Sequence, residues 1–224
     1  MPQPTLDAKV YAFDAYGTLF DFNTVYRCAD ELGDKAAALR ELWRNKQLQY
    51  FWARNMLGAY RSYEDITADA LDVAMRILQI HEPGLKARLL SFYTDLEAYP
   101  DVKAALEALK QNGARLVIHT NASARFAAAS VESCGLSGLF DDIISIEDIG
   151  IYKPDPAAYR YLVHRTGVEP AAICFISANG WDTHGAAHFG FKVIWVNRGA
   201  VPDDALPGKP YRELPSLDGI ARVP

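Results

Sequence analysis

The sequence is poor in cysteine and in long apolar runs and has no excess of positive charge. Its three cysteines (Cys28, Cys134 and Cys174) are far apart and odd in number, which favours free thiols in a reducing cytoplasm over a disulfide framework. The net charge of −5 argues against general nucleic-acid binding. No apolar run approaches the ~20 residues of a membrane span, and residues 1–7 lack the basic and apolar regions of a secretory signal.

Two kinds of hydrophobic pattern divide the chain. Beyond residue 98, short apolar runs alternate with helical patterns, which predicts a parallel sheet with right-handed crossovers. Between residues 22 and 97 helical spacings dominate. We therefore expect an α/β protein, with a Rossmann-like parallel-sheet core at 1–21 and 98–224 and a helical cap subdomain inserted at 22–97.

The expected elements can be placed along the chain from these patterns. Strands are predicted at 8–13, 114–119, 143–145, 172–176, 192–196 and near 211–214, and helices at 36–57, 66–80, 85–96, 101–112, 123–134, 156–166 and 183–189. Pro100 marks the return from the cap to the core because proline breaks a helix, and Asp101 can cap the next helix.

The first strand ends at Asp14, in the octapeptide FDAYGTLF. A carboxylate at the end of a buried strand is costly unless a partner lies nearby, and open α/β sheets bind ligands at this edge. Gly17 permits a sharp turn and Thr18 offers a hydroxyl. The octapeptide alone leaves two interpretations open: a reactive carboxylate, or a strand-end residue that caps the following turn.

Polar side chains also follow the second, third and fourth core strands. Because the carboxyl ends of parallel strands meet at one edge of the sheet, we expect these residues to converge on one pocket with Asp14. They are Thr120 and Asn121, then Lys153, and then Ser177, Asn179, Trp181 and Asp182.

Each of these residues also has a purely structural interpretation. Lys153 is either a solvated loop lysine or a cation that keeps Asp14 ionised and neutralises an anionic substrate. Asp182 either caps a helix that begins near Thr183, or it holds Lys153 or polarises a water. The structural interpretation of Asn179 is that it builds the turn before that helix, and that of the residues at 120–121 is that they form a loop.

Taken together, these segments resemble the L-2-haloacid dehalogenases of the haloacid dehalogenase superfamily. FDAYGTLF is similar to the first motif of that family, in which the first Asp is a covalent nucleophile. LWRNKQLQY at 42–50 looks like the family's cap-helix segment, and its Arg is Arg44. YKPD at 152–155 followed by Tyr159, and SANGWD at 177–182, look like the later motifs, so the resemblance covers nearly the full chain.

The resemblance implies hydrolysis of short (S)-2-haloalkanoic acids to (R)-2-hydroxyalkanoic acids and halide, through an ester on Asp14, by a homodimer without metal or other cofactor. Arg44, Asn121 and Trp181 would receive the halide, while Thr120, Lys153 and loop amides would bind the substrate carboxylate. The implied catalytic residues are Asp14, Thr18, Lys153, Ser177, Asn179 and Asp182, and the implied substrate-binding residues are Tyr16, Arg44, Tyr63, Thr120, Asn121, Tyr159 and Trp181.

Two other functions stay open at this point. A magnesium-dependent small-molecule phosphatase of the same superfamily would need carboxylates where Tyr16 and Ser177 stand. A catalytically idle carboxylate-binding protein is the other alternative, and the joint presence of Asp14, Arg44, Lys153 and Asp182 argues against it. His184 is either an exposed helix residue or an aid to water activation, and His119 is expected to be structural.

Overall fold

The sheet of this computed structural model, which describes residues 8–22 and 32–223, confirms the expected fold class. Six parallel strands lie in the order β5-β4-β1-β6-β7-β8. Their bounds are β1 Val10–Phe13, β4 Arg115–Thr120, β5 Asp142–Ser145, β6 Ile173–Ser177, β7 Lys192–Val196 and β8 Arg212–Leu214. Expectations for residues 1–7 and Cys28 lie outside the described ranges.

The sheet is buried on both faces, as its short apolar strands predict. Alternate residues of β1 point into two hydrophobic cores: Phe13 packs in one and Ala12 in the other. Helices cover both faces, and their bounds are α4 Val102–Gln111, α5 Ala124–Ser133, α6 Pro156–Thr166 and α7 Gly180–Phe189. Cys134 and Cys174 are free, as expected, and Cys174 is buried in β6.

Within residues 32–97, three helices lie in sequence between β1 and the later strands of the sheet, and we call them the cap helices: α1 Lys35–Leu57, α2 Tyr63–Ile77 and α3 Leu85–Ser91. The helix predicted from residue 66 begins three residues earlier, because Ser62 accepts a hydrogen bond from the amide of Asp65 and caps it. The cap helices share the hydrophobic core that contains Phe13. No helix within 8–22 and 32–223 is long and apolar enough to cross a membrane.

A small antiparallel pair joins the cap helices to the sheet, and the sequence patterns did not predict it. It consists of β2 Phe20–Asp21 and β3 Glu97–Ala98. The expected cap role of Asp101 is wrong: its carboxylate accepts from Arg198 Nη1 at 2.9 Å and from the amide of Leu217, and α4 has no side-chain cap. Asp101 therefore fastens α4 to the C-terminal segment.

Candidate active site

Asp14 lies immediately after β1, at the edge of the sheet where β4 and β6 also end. One carboxylate oxygen, Oδ2, accepts from Thr18 Oγ1 at 3.0 Å, from Asn179 Nδ2 at 2.8 Å and from Ser177 Oγ at 3.5 Å. The other oxygen, Oδ1, lies 3.1 Å from Lys153 Nζ. Gly17, at φ +87°, makes the turn that brings Thr18 back to the carboxylate.

Behind Asp14 lies a group of three fully buried polar side chains, which we call the rear triad: Lys153, Tyr159 and Asp182. Lys153 Nζ is 2.8 Å from Asp182 Oδ2, so one ammonium is shared by two carboxylates. Tyr159 donates its hydroxyl to Asp182 Oδ1 at 2.8 Å. Because an unpaired buried charge is very costly, these contacts fix all three side chains.

Burial and charge act in opposite directions on the rear triad. Burial alone lowers the pKa of Lys153, but Asp14 and Asp182 outweigh it, and the pKa is raised above its usual value. The pKa of Asp182 is raised to about 6: burial and the negative charge of Asp14 raise it, and Lys153 lowers it by less than they raise it. Burial and the neighbouring Asp182 also hold the pKa of Tyr159 well above its usual value. Lys153 therefore stays charged, while Asp182 is a carboxylate poised near the neutral range.

The close packing of two helices makes this arrangement possible. A Cβ added at Gly185 of α7 would lie 2.6 Å from Tyr159 Oη and 2.7 Å from Pro154 Cβ, so only glycine lets α6 approach this closely. The helix predicted at 183–189 begins at Gly180, so Asp182 lies inside its first turn and is not its cap. The structural alternative for Asp182 is therefore wrong: its side chain holds Lys153.

Arg44 reaches the site from the other side, from α1. Its Nη2 donates to Asn179 Oδ1 at 3.2 Å, and Asn179 in turn donates to Asp14. Its Nη1 donates to Gln47 Oε1 at 2.7 Å, and the guanidinium carbon lies 5.2 Å from the centre of the Phe22 ring. A cation from the cap helices is thus connected through one amide to the carboxylate of the sheet.

A small cavity lies between the two sides. Asp14 and Asn179 form part of its wall, and Arg44 faces them. The other lining residues are Tyr16, Leu48, Phe51, Tyr63, Thr120, Asn121 and Trp181. This mixture of aromatic rings with a few polar groups suits a small organic anion with an apolar portion.

The structure thus places the expected site residues in two groups, one that lines the cavity and one that lies behind Asp14. Those implied to bind substrate line the cavity, apart from Tyr159, which lies in the rear triad. Lys153 is also absent from the lining. Thr120 Oγ1 accepts from the amide of Ala122 at 3.1 Å, and Asn121 Oδ1 accepts from the amide of Lys153 at 3.0 Å.

His184 and His119 both occupy structural positions. The expectation that His184 is exposed is wrong: it is buried, with Nδ1 2.6 Å from the carbonyl oxygen of Gly208 and Nε2 2.8 Å from Asp203 Oδ1. These contacts hold the segment after β7 against α7. Burial, with Lys153 nearby, keeps the pKa of His119 well below its usual value, and its Nε2 lies 3.1 Å from the carbonyl oxygen of Ala158.

The sequence patterns overlooked four side chains at the cap face of the site. Gln47, Leu48 and Phe51 follow Arg44 at helical spacings of three, four and seven residues, so this spacing was the available signal. Phe22 lies against the guanidinium of Arg44. Within the described ranges, no group of three or more His, Cys, Asp or Glu is placed to hold a metal ion.

Comparisons with known proteins agree in one direction. A family model described as a haloacid dehalogenase-like hydrolase matches residues 8–190. The (S)-2-haloacid dehalogenase 4A of Burkholderia cepacia is 41% identical over 198 residues, which are 88% of this chain and 86% of that protein. A crystal structure of a dehalogenase matches with a TM-score of 0.93 at 37% identity and 97% coverage of both chains. The L-2-haloacid dehalogenase from Xanthobacter autotrophicus with chloropropionic acid covalently bound has a TM-score of 0.86 at 28% identity, with 96% of this chain and 97% of that chain covered.

Proposed function

Because the chain belongs to the haloacid dehalogenase-like hydrolases, we propose that it is an (S)-2-haloacid dehalogenase that converts short (S)-2-haloalkanoic acids to (R)-2-hydroxyalkanoic acids and halide. One observation carries the proposal. The carboxylate of Asp14 lines a small, mostly aromatic cavity, an arginine lies on the opposite wall, and the ammonium of a buried lysine lies 3.1 Å from the carboxylate. A nucleophile and a site for a departing anion thus face the same space.

In the first step, Asp14 Oδ1 attacks the halogen-bearing carbon from the side opposite the halogen. The new C–O bond forms as the carbon–halogen bond breaks, the halide leaves with the bonding electrons, and the carbon inverts. Arg44, Asn121 and Trp181 receive the halide. Arginine suits this role since its charge is permanent and weakly hydrated.

The substrate carboxylate binds at Thr120 and the amides of its loop, ahead of α5. Tyr16 and Tyr63, whose ring centres are 5.6 Å apart, enclose the alkyl group and exclude water. The small size of the cavity restricts the substrate to a short chain.

In the second step, water attacks the ester at Cγ of Asp14. Asp182 takes a proton from this water, and Lys153 holds Asp182 in place. Negative charge builds up on Oδ2, where Thr18, Ser177 and Asn179 already donate or approach. The Cγ–Oδ1 bond then breaks and Oδ1 takes the proton that Asp182 had received, so the original Oδ1 becomes the hydroxyl oxygen of the product. The second proton of the water leaves to solvent as Asp14 returns to its carboxylate form.

The test uses each enantiomer of 2-chloropropionate in the presence of EDTA, with chloride and lactate measured. We expect chloride from the (S) form alone and (R)-lactate as product. One turnover in ¹⁸O-labelled water, with enzyme in excess, should label Asp14 and leave the lactate unlabelled. Phosphate release from an aryl phosphate on adding magnesium, without chloride release, would replace this proposal with the phosphatase alternative. Tight binding of the acid without turnover would favour the idle carboxylate-binding protein.

We further propose that residues 1–21 and 98–224 form one folding unit and 22–97 a second, and that the protein is a cytoplasmic homodimer that binds no nucleic acid. Exposed Met56 and Leu57 at the end of α1 support association through the cap helices. Light scattering on the intact protein and on Met56→Lys tests this: the variant should be monomeric, and an unchanged mass would exclude this surface.

A further inference from the structure

Gln47 lies one helical turn after Arg44, and its side chain is buried at 1% exposure. A buried amide without partners is costly, so its partners determine why it can be there. Its Oε1 accepts from Arg44 Nη1 at 2.7 Å, and its Nε2 donates to Thr67 Oγ1 at 2.6 Å. Thr67 then donates to the carbonyl oxygen of Tyr63 at 2.7 Å.

This chain of hydrogen bonds, which we call the Gln47 relay, has only one possible direction. A guanidinium can only donate and a backbone carbonyl can only accept, so the orientations of Gln47 and Thr67 between them are fixed. The relay therefore ends on the backbone of α2, a rigid element, and both of its intermediate side chains are buried.

We propose that Gln47 is a positioning residue that fixes the guanidinium of Arg44 for the departing halide without neutralising its charge. This inference rests on the proposed function, since it assumes that Arg44 binds the halide. Arg44 is held from both sides: Gln47 takes Nη1 and Asn179 takes Nη2. Both partners are neutral amide oxygens, so the positive charge stays available to an anion in the cavity.

Because the side chain of Gln47 is neutral, the most informative variant is one that places a negative charge at this position. Gln47→Glu keeps the shape and the acceptor but places a carboxylate against Arg44, and it removes the donor to Thr67. Gln47→Leu removes both hydrogen bonds and leaves the charge of Arg44 unopposed. If the relay sets the halide site, the two variants weaken it for different reasons, and Gln47→Glu weakens it more.

The experiment measures inhibition by bromide, inhibition by propionate and the ratio of kcat for 2-bromopropionate to that for 2-chloropropionate. For Gln47→Glu we expect bromide inhibition to weaken about tenfold or more and the ratio to rise, while propionate inhibition changes less than about twofold. Thr67→Val should shift bromide inhibition in the same direction by a smaller factor, and Thr67→Ser, which keeps the hydroxyl, should restore it.

Two outcomes overturn the inference. If the Gln47 variants melt at lower temperature but keep the bromide inhibition and the kcat ratio of the wild type, Gln47 only packs α1 against α2. If NMR shows the Arg44 guanidinium rotating as freely in the wild type as in Gln47→Leu, no relay holds it. That NMR signal does not depend on turnover, so the failure of the relay is distinguishable from an absence of dehalogenation.

Discussion

The two walls of the cavity are built from different interactions. On the sheet side, Asp14 is backed by the rear triad, whose charges are buried and paired at 2.8 and 3.1 Å. On the cap side, a single partly exposed cation, Arg44, lies among aromatic rings and hydrogen-bonds to two neutral amide oxygens. The sheet side holds the carboxylate of Asp14 in place, whereas the cap side supplies shape and the positive charge that we propose receives the leaving group. This difference predicts how variants on each side should fail.

Loss of the nucleophile should have the largest effect. Asp14→Asn keeps the size of the side chain but cannot displace halide, so we expect chloride release to fall by at least about 10⁴-fold. Chloride from 2-chloropropionate is measured on fresh protein whose mass confirms the amide, because deamidation would restore Asp14. Wild-type chloride release from intact Asp14→Asn would remove Asp14 from the mechanism.

Breaking the rear triad comes next. Lys153→Met leaves two carboxylates facing each other without their shared cation, so we expect activity to fall by about 10³-fold and the free energy of unfolding by about 3–5 kcal/mol. Urea unfolding and chloride release are measured together. Lys110→Met is the matched control: Lys110 pairs with Asp141 at 2.8 Å but is partly exposed, so its loss should cost less than about 1 kcal/mol. If the two variants lowered the free energy of unfolding equally, the buried ion pairs of the rear triad would be no stronger than an exposed pair.

On the cap side, activity should fall with a smaller loss of stability than in Lys153→Met. For Arg44→Met we expect chloride release to drop about 10²-fold and release of the better leaving group iodide to drop less. The free energy of unfolding should fall by about 1–3 kcal/mol, because the buried Oε1 of Gln47 loses its donor. Arg54→Met, on the same helix but bonded to the carbonyl of Ala59, serves as control and should keep full activity. If Arg44→Met slows chloride and iodide release equally, Arg44 does not receive the halide.

The smallest effect concerns the pH dependence. Asp182 must be ionised to take a proton from water, and its pKa of about 6 means that ester hydrolysis is lost as the pH falls through that value or below. Tyr159→Phe removes a hydrogen bond that lowers this pKa, so the acid limb of kcat should move to higher pH by under about one unit. Tyr161→Phe, whose hydroxyl binds exposed Asp148, is the control. If the acid limb of kcat does not move in Tyr159→Phe, Asp182 is not the group that takes the proton from water.

The sequence predicted the sheet side of the molecule better than the cap side. The α/β fold, the strand positions and the family followed from short buried apolar runs and from motifs at the ends of strands, where topology brings distant residues together. On the cap side, the buried polar Gln47 broke the apolar periodicity of α1. Its role depends on Thr67 in another helix, and no spacing within one element reveals such a partner.

The remaining failures have a similar origin. His184 looked like an exposed helix residue because the segment that covers it, with Asp203 and Gly208, is distant in sequence and irregular. Asp101 stands where a helix cap is expected, but Arg198 offers it a stronger, charged partner. In both cases, a tertiary contact outweighed a local preference.

In the proposed mechanism, the sharing of Lys153 between two carboxylates makes the two chemical steps depend on each other. Formation of the ester removes the negative charge of Asp14, one of the charges that raise the pKa of Asp182. The whole attraction of the ammonium then falls on Asp182, so the pKa of Asp182 drops when the intermediate forms. Asp182, the base of the second step, is therefore more fully ionised in the intermediate than in the resting enzyme. Formation of the ester thus prepares the base that hydrolyses it.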